Sequence, residues 1–197
     1  AKIREVFGVE TTVFRNTELA YDDELAQWAD KKGFKGILAE GWDPILEWRS
    51  PNYVYRPEGT ENISLLLKNY KLSDDIAFRF SNRSWSEWPL TVDKYANWIE
   101  AASHDQPLVN LFMDYETFGE HQWAESGIFG FFESFVSRWL KNPNHDFETV
   151  SEAAQREPKA EISMPETVTW ADTERDLTAW LGNSLQQEAM KYLYDLK

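Results

Sequence analysis

The chain of 197 residues is long enough for one domain with a sizeable core and too short for two full ones. Its 34 acidic against 20 basic residues leave a net charge of −14, which repels phosphates; nucleic acid and anionic membranes are disfavoured as partners, and a neutral substrate fits the field better. There is no cysteine, which excludes disulfides, zinc–thiolate sites and thiol nucleophiles, and no run of about 18 apolar residues that could span a bilayer.

The N-terminal A-K-I-R-E-V-F lacks a signal-peptide profile, so the cytoplasm is the expected compartment. Because the chain starts at Ala1 instead of Met and reaches strand-like sequence by Val13, it reads as processed or as a piece of a longer protein. Thr12 to Glu18 then predicts a short strand ending in an acid, and Leu25, Trp28 and Ala29 give the next segment a helical spacing. Asp22 or Asp23 starts that helix and Gly33 ends it. The pattern repeats: Phe34 to Ala39 is a strand ending in Glu40, and Asp43-Pro44 opens a short helix toward Trp48. Arg49 to Pro57 is bracketed by prolines and reads as an excursion loop.

Ile63 to Tyr70 is the third expected strand, with Ser73, Asp74 and Asp75 as the cap for a helix over Ile76 to Phe80. Thr91 starts a helix that runs through Trp98 to Ala102. Leu108 to Met113 is the fourth strand, and Ile128 to Leu140 is a helix apolar nearly all round, expected to be buried. From 142 to 165 the sequence turns polar, and Leu177 to Leu196 predicts one long amphipathic helix. The organisation expected is therefore a barrel portion over 1–141, a polar connection over 142–165, and a C-terminal strand and helix region over 166–197. Strands and helices that alternate in this way imply an α/β fold with a mostly parallel sheet and a site at the carboxyl ends of its strands.

The chemistry concentrates in Leu108 to Trp123, L-V-N-L-F-M-D-Y-E-T-F-G-E-H-Q-W. An apolar run stops abruptly at Asp114 and Glu116, two residues apart and so on one face of an extended chain, with aromatic neighbours that can separate their pKa values. Gly119 permits a turn, and Glu120, His121, Gln122 and Trp123 follow with polar groups and a flat apolar plate. The other reading is an acidic strand end that caps the next helix. Ten Trp residues reinforce a sugar site, because aromatic faces stack on sugar rings; about three or four of them are expected to line it, with the rest in the core.

Four acids stand at predicted strand ends: Glu18, Glu40, Asp114 and Glu116. Glycoside hydrolysis needs two carboxyl groups across one bond, about 5–5.5 Å apart in a retaining enzyme and about 6.5–9.5 Å in an inverting one. Asp114 and Glu116 on one strand are poorly placed to flank a substrate, so one partner should be Glu18 or Glu40.

The motifs M-D-Y-E-T-F-G-E-H-Q-W at 113–123, F-R-N-T-E-L at 14–19, G-F-K-G-I-L-A-E-G at 33–41 and W-A-D-T-E-R-D-L-T-A-W-L-G-N at 170–183 resemble glycoside hydrolase family 57, specifically its α-amylase-like branch. The resemblance implies part of a (β/α)7 barrel of parallel strands and a retaining, double-displacement enzyme on α-1,4-glucans, of α-amylase or 4-α-glucanotransferase type. It makes Glu18 the nucleophile, with Glu40 as the alternative, and Asp114 the acid/base. Glu40, Trp42, Glu116, His121, Trp123, Trp170, Asp172 and Trp180 become substrate-binding candidates; for Trp180 a plain core-facing position is the competing reading. The family's N-terminal H-Q-P motif is not in this chain, so the first barrel strands are expected to be missing, and that missing N-terminal portion is a candidate partner. The partner otherwise implied is an α-glucan or maltooligosaccharide, with no cofactor and no metal.

Two other classes compete. Asp114, Glu116 and His121 could ligate a cation in a metal-dependent hydrolase, with His104 or His145 as the remaining imidazoles. A degenerate protein could bind glucan without turning it over.

Overall fold

The computed structural model describes residues 2–196. The chain begins with helix α1 (Lys2–Phe7), none of whose residues is buried, and then enters a five-stranded sheet. Strand β1 (Val13–Phe14) leads through a single 3-10 turn, Thr17–Leu19, into α2 (Asp23–Lys31). Asp22 caps α2 by accepting the Leu25 N–H, and Gly33 follows it at a φ of 86°, as the sequence suggests. Next come β2 (Gly36–Glu40), α3 (Asp43–Leu46), β3 (Val54–Pro57), β4 (Ser64–Lys68) and α4 (Tyr70–Ala77). The sheet order is β1-β2-β4-β3-β5, where β5 is Glu161–Ile162.

β1, β2 and β4 run parallel, and their register pairs Glu40 with Lys68 at the carboxyl ends of β2 and β4. Both strands are buried at every position, so their side chains alternate between two cores. Ile37, Ala39, Leu65 and Leu67 pack under α2 with Tyr21, Ala26 and Ala29, while Leu38 and Leu66 face Leu19, Ala153 and Ala154 on the other side. Gly41 is required just past β2, since a Cβ there would sit 2.2 Å from the Lys68 carbonyl oxygen.

Helices α5 (Val92–Ala102) and α6 (Ile128–Trp139) complete a third, aromatic-rich core with α4. Thr91 caps α5 as expected. α7 (Val150–Ala153), α8 (Thr178–Leu181) and α9 (Ser184–Asp195) are the remaining helices among the described residues.

Several expectations are corrected. Residues 54–57, read as part of a loop because prolines bracket them, form β3, antiparallel to β4; Val54 and Tyr55 are buried, and Pro57 is tolerated because it falls at the strand end. Residues 108–113 form no regular strand. One backbone bond remains, the Asn69 N–H donating to the Asn110 carbonyl at 2.9 Å, and side chains supply the others: Asn110 Nδ2 donates to the Leu67 carbonyl at 3.0 Å and the Phe112 N–H donates to Ser73 Oγ at 3.1 Å. The segment is nonetheless extended between two cores, with Leu108 and Phe112 against one and Val109, Leu111 and Met113 against the other.

The cap expected at Ser73 to Asp75 lies inside α4, which starts six residues before Ile76 because Asn69 accepts the Leu72 N–H. α6 is not buried all round: Ile128, Phe131 and Phe135 face the core, whereas Phe129 and Phe132 are exposed. The expected helix over 177–196 is two, parted at Gly182 and Asn183, where Asn183 and Gln186 form a capping box for α9. The polar segment 142–165 contributes β5 to the sheet, parallel to β3.

Candidate active site

A cavity of about 260 Å³ opens at the carboxyl ends of β1, β2 and β4, lined by Glu18, Lys68, Asp114, His121, Trp170, Arg175 and neighbours. Its first wall is the turn after β1. Asn16 accepts the Thr17 N–H and Ala20 donates back to the Thr17 carbonyl, so the chain reverses within a few residues. Glu18 and Leu19 lie in the left-handed region, with φ of 54° and 50°, at a cost of about 1–2 kcal/mol per residue. Leu19 is completely buried and anchors the turn from beneath.

The segment 167–175 folds back over this turn. Tyr21 and Val168 exchange two backbone hydrogen bonds of 2.9 Å, and the Trp170 N–H donates to the Glu18 carbonyl at 3.0 Å. Trp170 Nε1 donates to Glu18 Oε2, also at 3.0 Å, so backbone and side chain of one residue fix both the position and the direction of the Glu18 carboxylate. The Trp170 ring in turn carries two cations, Arg15 at 4.8 Å and Lys68 at 5.1 Å from its centre.

Behind that wall lies a set of buried charges. Glu40 is fully buried, and its Oε1 accepts the Gly41 N–H at 2.9 Å. Its Oε2 lies 3.4 Å from Arg175 Nε and 3.9 Å from Lys68 Nζ, ion pairs in which neither Glu40 Oε2 nor Arg175 Nε makes a hydrogen bond among the described residues. Lys68 Nζ donates to Asp74 at 3.0 Å. Burial pushes the Glu40 carboxyl above the ordinary range; Lys68, Arg175 and the Gly41 N–H pull it back, and Asp74 adds to the push.

The second wall is the loop after residue 113. Asp114 precedes a 3-10 turn, Tyr115–Thr117, and its side chain does not cap that turn, which leaves the carboxyl facing the cavity. Thr117 is buried, and Gln122 is held from below by donating to the Ala77 carbonyl at 2.9 Å. His121 and Asp172 complete the lining named by the motifs.

The structure thus brings Glu18, Asp114, His121, Trp170 and Asp172 to one cavity. It does not bring the rest. Glu40 is sealed behind Lys68 and Arg175; Trp42 packs against the core under α2; Glu116 and Trp123 are exposed outside the lining; and Trp180 stands on α8, away from it. Of the ten Trp residues only Trp170 lines the cavity, against about three or four expected, because Trp85, Trp98 and Trp139 pack into the aromatic core instead. Among the described residues no group of three or more His, Asp or Glu is placed to hold a metal ion, and of the three proposed ligands Glu116 lies outside the cavity that Asp114 and His121 line. Lys68, Asp74 and Arg175 were missed. Lys68 ends an apolar strand just as Glu40 does, and a search for charged strand ends of either sign would have found it.

The family model of glycosyl hydrolase family 57 matches residues 1–165. A Methanocaldococcus jannaschii protein named "Putative alpha-amylase" is 49% identical over 197 residues, covering 98% of this chain and 41% of its own length. The chain therefore spans less than half of that relative. Among solved structures, the 4-alpha-glucanotransferase of Thermococcus litoralis is similar in fold, with a TM-score of 0.61 at 20% identity over 82% of this chain and 25% of that one.

Proposed function

Since this chain belongs to glycosyl hydrolase family 57, we propose that its cavity is the catalytic centre of a retaining enzyme acting on α-1,4-linked glucans. The observation that carries the reading is the convergence on one cavity of two carboxylates from distant segments, Glu18 and Asp114, with Glu18 oriented by the indole N–H of Trp170. The substrate class follows the name of the M. jannaschii relative. His121 and Asp172, on the lining of the cavity, are hydroxyl partners for the sugar.

In the first step Glu18 attacks the anomeric carbon while Asp114 gives its proton to the departing glycosidic oxygen, leaving a covalent glycosyl ester on Glu18. In the second, Asp114 takes a proton from water, or from the hydroxyl of an acceptor sugar, which displaces Glu18 and restores both groups. The left-handed backbone at Glu18 suits this role, since strained geometry persists where the surroundings over-determine it.

Azide tests both assignments. With Glu18→Gly, azide enters the gap and restores turnover of an aryl α-maltooligosaccharide, giving the inverted glycosyl azide. With Asp114→Ala, substrates with poor leaving groups suffer far more than aryl ones, and azide gives the retained product because the ester still forms. Inverted product from the Asp114 variant, or no rescue at Glu18, overturns the roles.

A further inference from the structure

We propose that Glu40 is a positioning residue that holds the Glu18 carboxylate in its reactive orientation through Arg175 and Trp170, an inference that rests on Glu18 being the nucleophile. A carboxylate with no exposed surface is costly to keep in a fold, and here it cannot reach a substrate, because Lys68 and Arg175 stand between it and the cavity. What it does reach is a continuous chain of contacts. The Gly41 N–H fixes one of its oxygens, and the other faces Arg175 Nε at 3.4 Å. The same guanidinium donates from its NH1 group to the carbonyls of Trp170, at 3.2 Å, and Asp172, at 2.5 Å, closing the loop 170–175 on itself. Trp170 then grips Glu18 by its backbone N–H and its indole N–H, both at 3.0 Å.

The two cations around Glu40 depend on it unequally. Lys68 has a second anchor in Asp74, to which it donates at 3.0 Å. Glu40 is the one carboxylate paired with Arg175 among the described residues, and Arg175 itself sits at a φ of 58°, a conformation its contacts must hold. The Tyr70 ring, 5.5 Å from the guanidinium, is its other side-chain neighbour, but it carries no charge; without Glu40 no carboxylate draws the Nε edge inward. The loop 170–175 loses its inner tether, and the Trp170 indole loses the rigidity with which it aims Glu18.

The test is a double-mutant cycle between Glu40→Gln and Trp170→Phe, the latter removing only the indole N–H donor, read as kcat and KM on an aryl α-maltooligosaccharide. Glu40→Gln is expected to lower kcat by about 100-fold, the order of loss caused by a small misplacement of a reacting group. KM should stay within about 3-fold, and Glu40→Asp should recover part of the loss. Because both variants cut one chain of contacts, the double variant should fall no further than about the worse single. Independent, multiplying losses overturn the inference, as does a loss confined to KM, or wild-type kcat in Glu40→Gln. Should Glu40→Gln fail to fold, Arg175→Gln, which cuts the same chain one link later, takes its place in the cycle. Azide separates the two levels of failure: rescue of Glu18→Gly keeps the nucleophile where it is and leaves the cycle to decide, whereas rescue of Glu40→Gly with inverted product makes Glu40 the nucleophile and overturns both.

Discussion

The two walls of the cavity are built in opposite ways. The Glu18 wall is over-determined: a left-handed turn, two bonds from Trp170, two cations beside the indole and a buried carboxylate behind them. The Asp114 wall is a surface loop with Tyr115 almost wholly exposed, secured from below by Thr117 and Gln122. The difference matches what the two proposed roles demand. A nucleophile must attack one carbon along one line, so a misaim costs rate directly, while an acid/base must let in the water or acceptor hydroxyl whose proton it takes in the second step, and so needs access.

The largest expected effect comes from striking the rigid wall at its root. Gly41→Ala places a methyl group 2.2 Å from the Lys68 carbonyl oxygen, so the ends of β2 and β4 must part and the Glu40–Lys68 pair with them. Stability should fall by about 1–3 kcal/mol through overpacking, and kcat by on the order of 100-fold through misplacement. Thermal unfolding alongside steady-state kinetics checks this; a destabilised variant with normal kcat would show that the rigidity of this wall is unrelated to rate.

Next is the support of the loop wall. Gln122→Leu removes the donor to the Ala77 carbonyl in a nearly sealed site, at a cost of about 1 kcal/mol in denaturant unfolding. The same change should lower activity on substrates with poor leaving groups more than on aryl ones, because it disturbs the acid/base side and leaves Glu18 alone. Equal losses on both substrate types would erase the contrast between the walls.

How far this asymmetry could be read in advance is instructive. The apolar runs at 34–39 and 63–70 announced β2 and β4, and Asp22 and Thr91 announced α2 and α5, because burial on both faces and side-chain caps leave direct marks in sequence. The mostly parallel α/β sheet expected as part of a (β/α)7 barrel is the fold observed. β3 was hidden because its prolines resemble loop punctuation, and the loss of the strand at 108–113 was hidden because Asn110 and Ser73 replace ladder bonds with side-chain ones. In the site, Glu18 and Asp114 stood out as acids at the ends of predicted strands within recognisable motifs, although β1 stops at Phe14 and residues 108–113 form no regular strand. The tethers Lys68 and Arg175 did not, since their importance lies in contacts with residues distant in sequence.

A subtler effect concerns pH. Burial raises the Glu40 carboxyl from its ordinary value of 4.5, against the pull of Lys68, Arg175 and the Gly41 N–H and with a push from Asp74. A raised carboxyl means that the folded chain holds the proton more tightly than the unfolded one. The stability it contributes is therefore full below 4.5 and is lost as pH rises from there through the folded value. Glu40→Gln mimics the protonated form, so its unfolding midpoint should gain on the parent's as pH rises from acid to neutral. A midpoint that instead falls behind as pH rises would mean that Glu40 stabilises the fold as an anion. The expected result would place the rigid wall among sites where stability is given up for geometry.

The smallest effect belongs to the residue most exposed on the loop wall. Tyr115 is 96% exposed although it stands between Asp114 and Glu116 and directly follows the proposed acid/base. A ring that touches so little of its own protein contributes little to holding the loop; the loop's order comes from the Thr117 N–H donating to the Asp114 carbonyl at 3.1 Å and the Gln122 N–H donating to the Thr117 carbonyl at 2.9 Å, bonds that do not involve that ring. Tyr115→Ala should therefore leave stability within about 0.5 kcal/mol of the parent. It should also leave kcat on an aryl α-maltooligosaccharide unchanged, in contrast to the loss expected from Trp170→Phe across the cavity. A drop in kcat with Tyr115→Ala would mean that the exposed ring orders Asp114 during turnover, and the loop wall would then be as constrained in the working enzyme as the wall it faces.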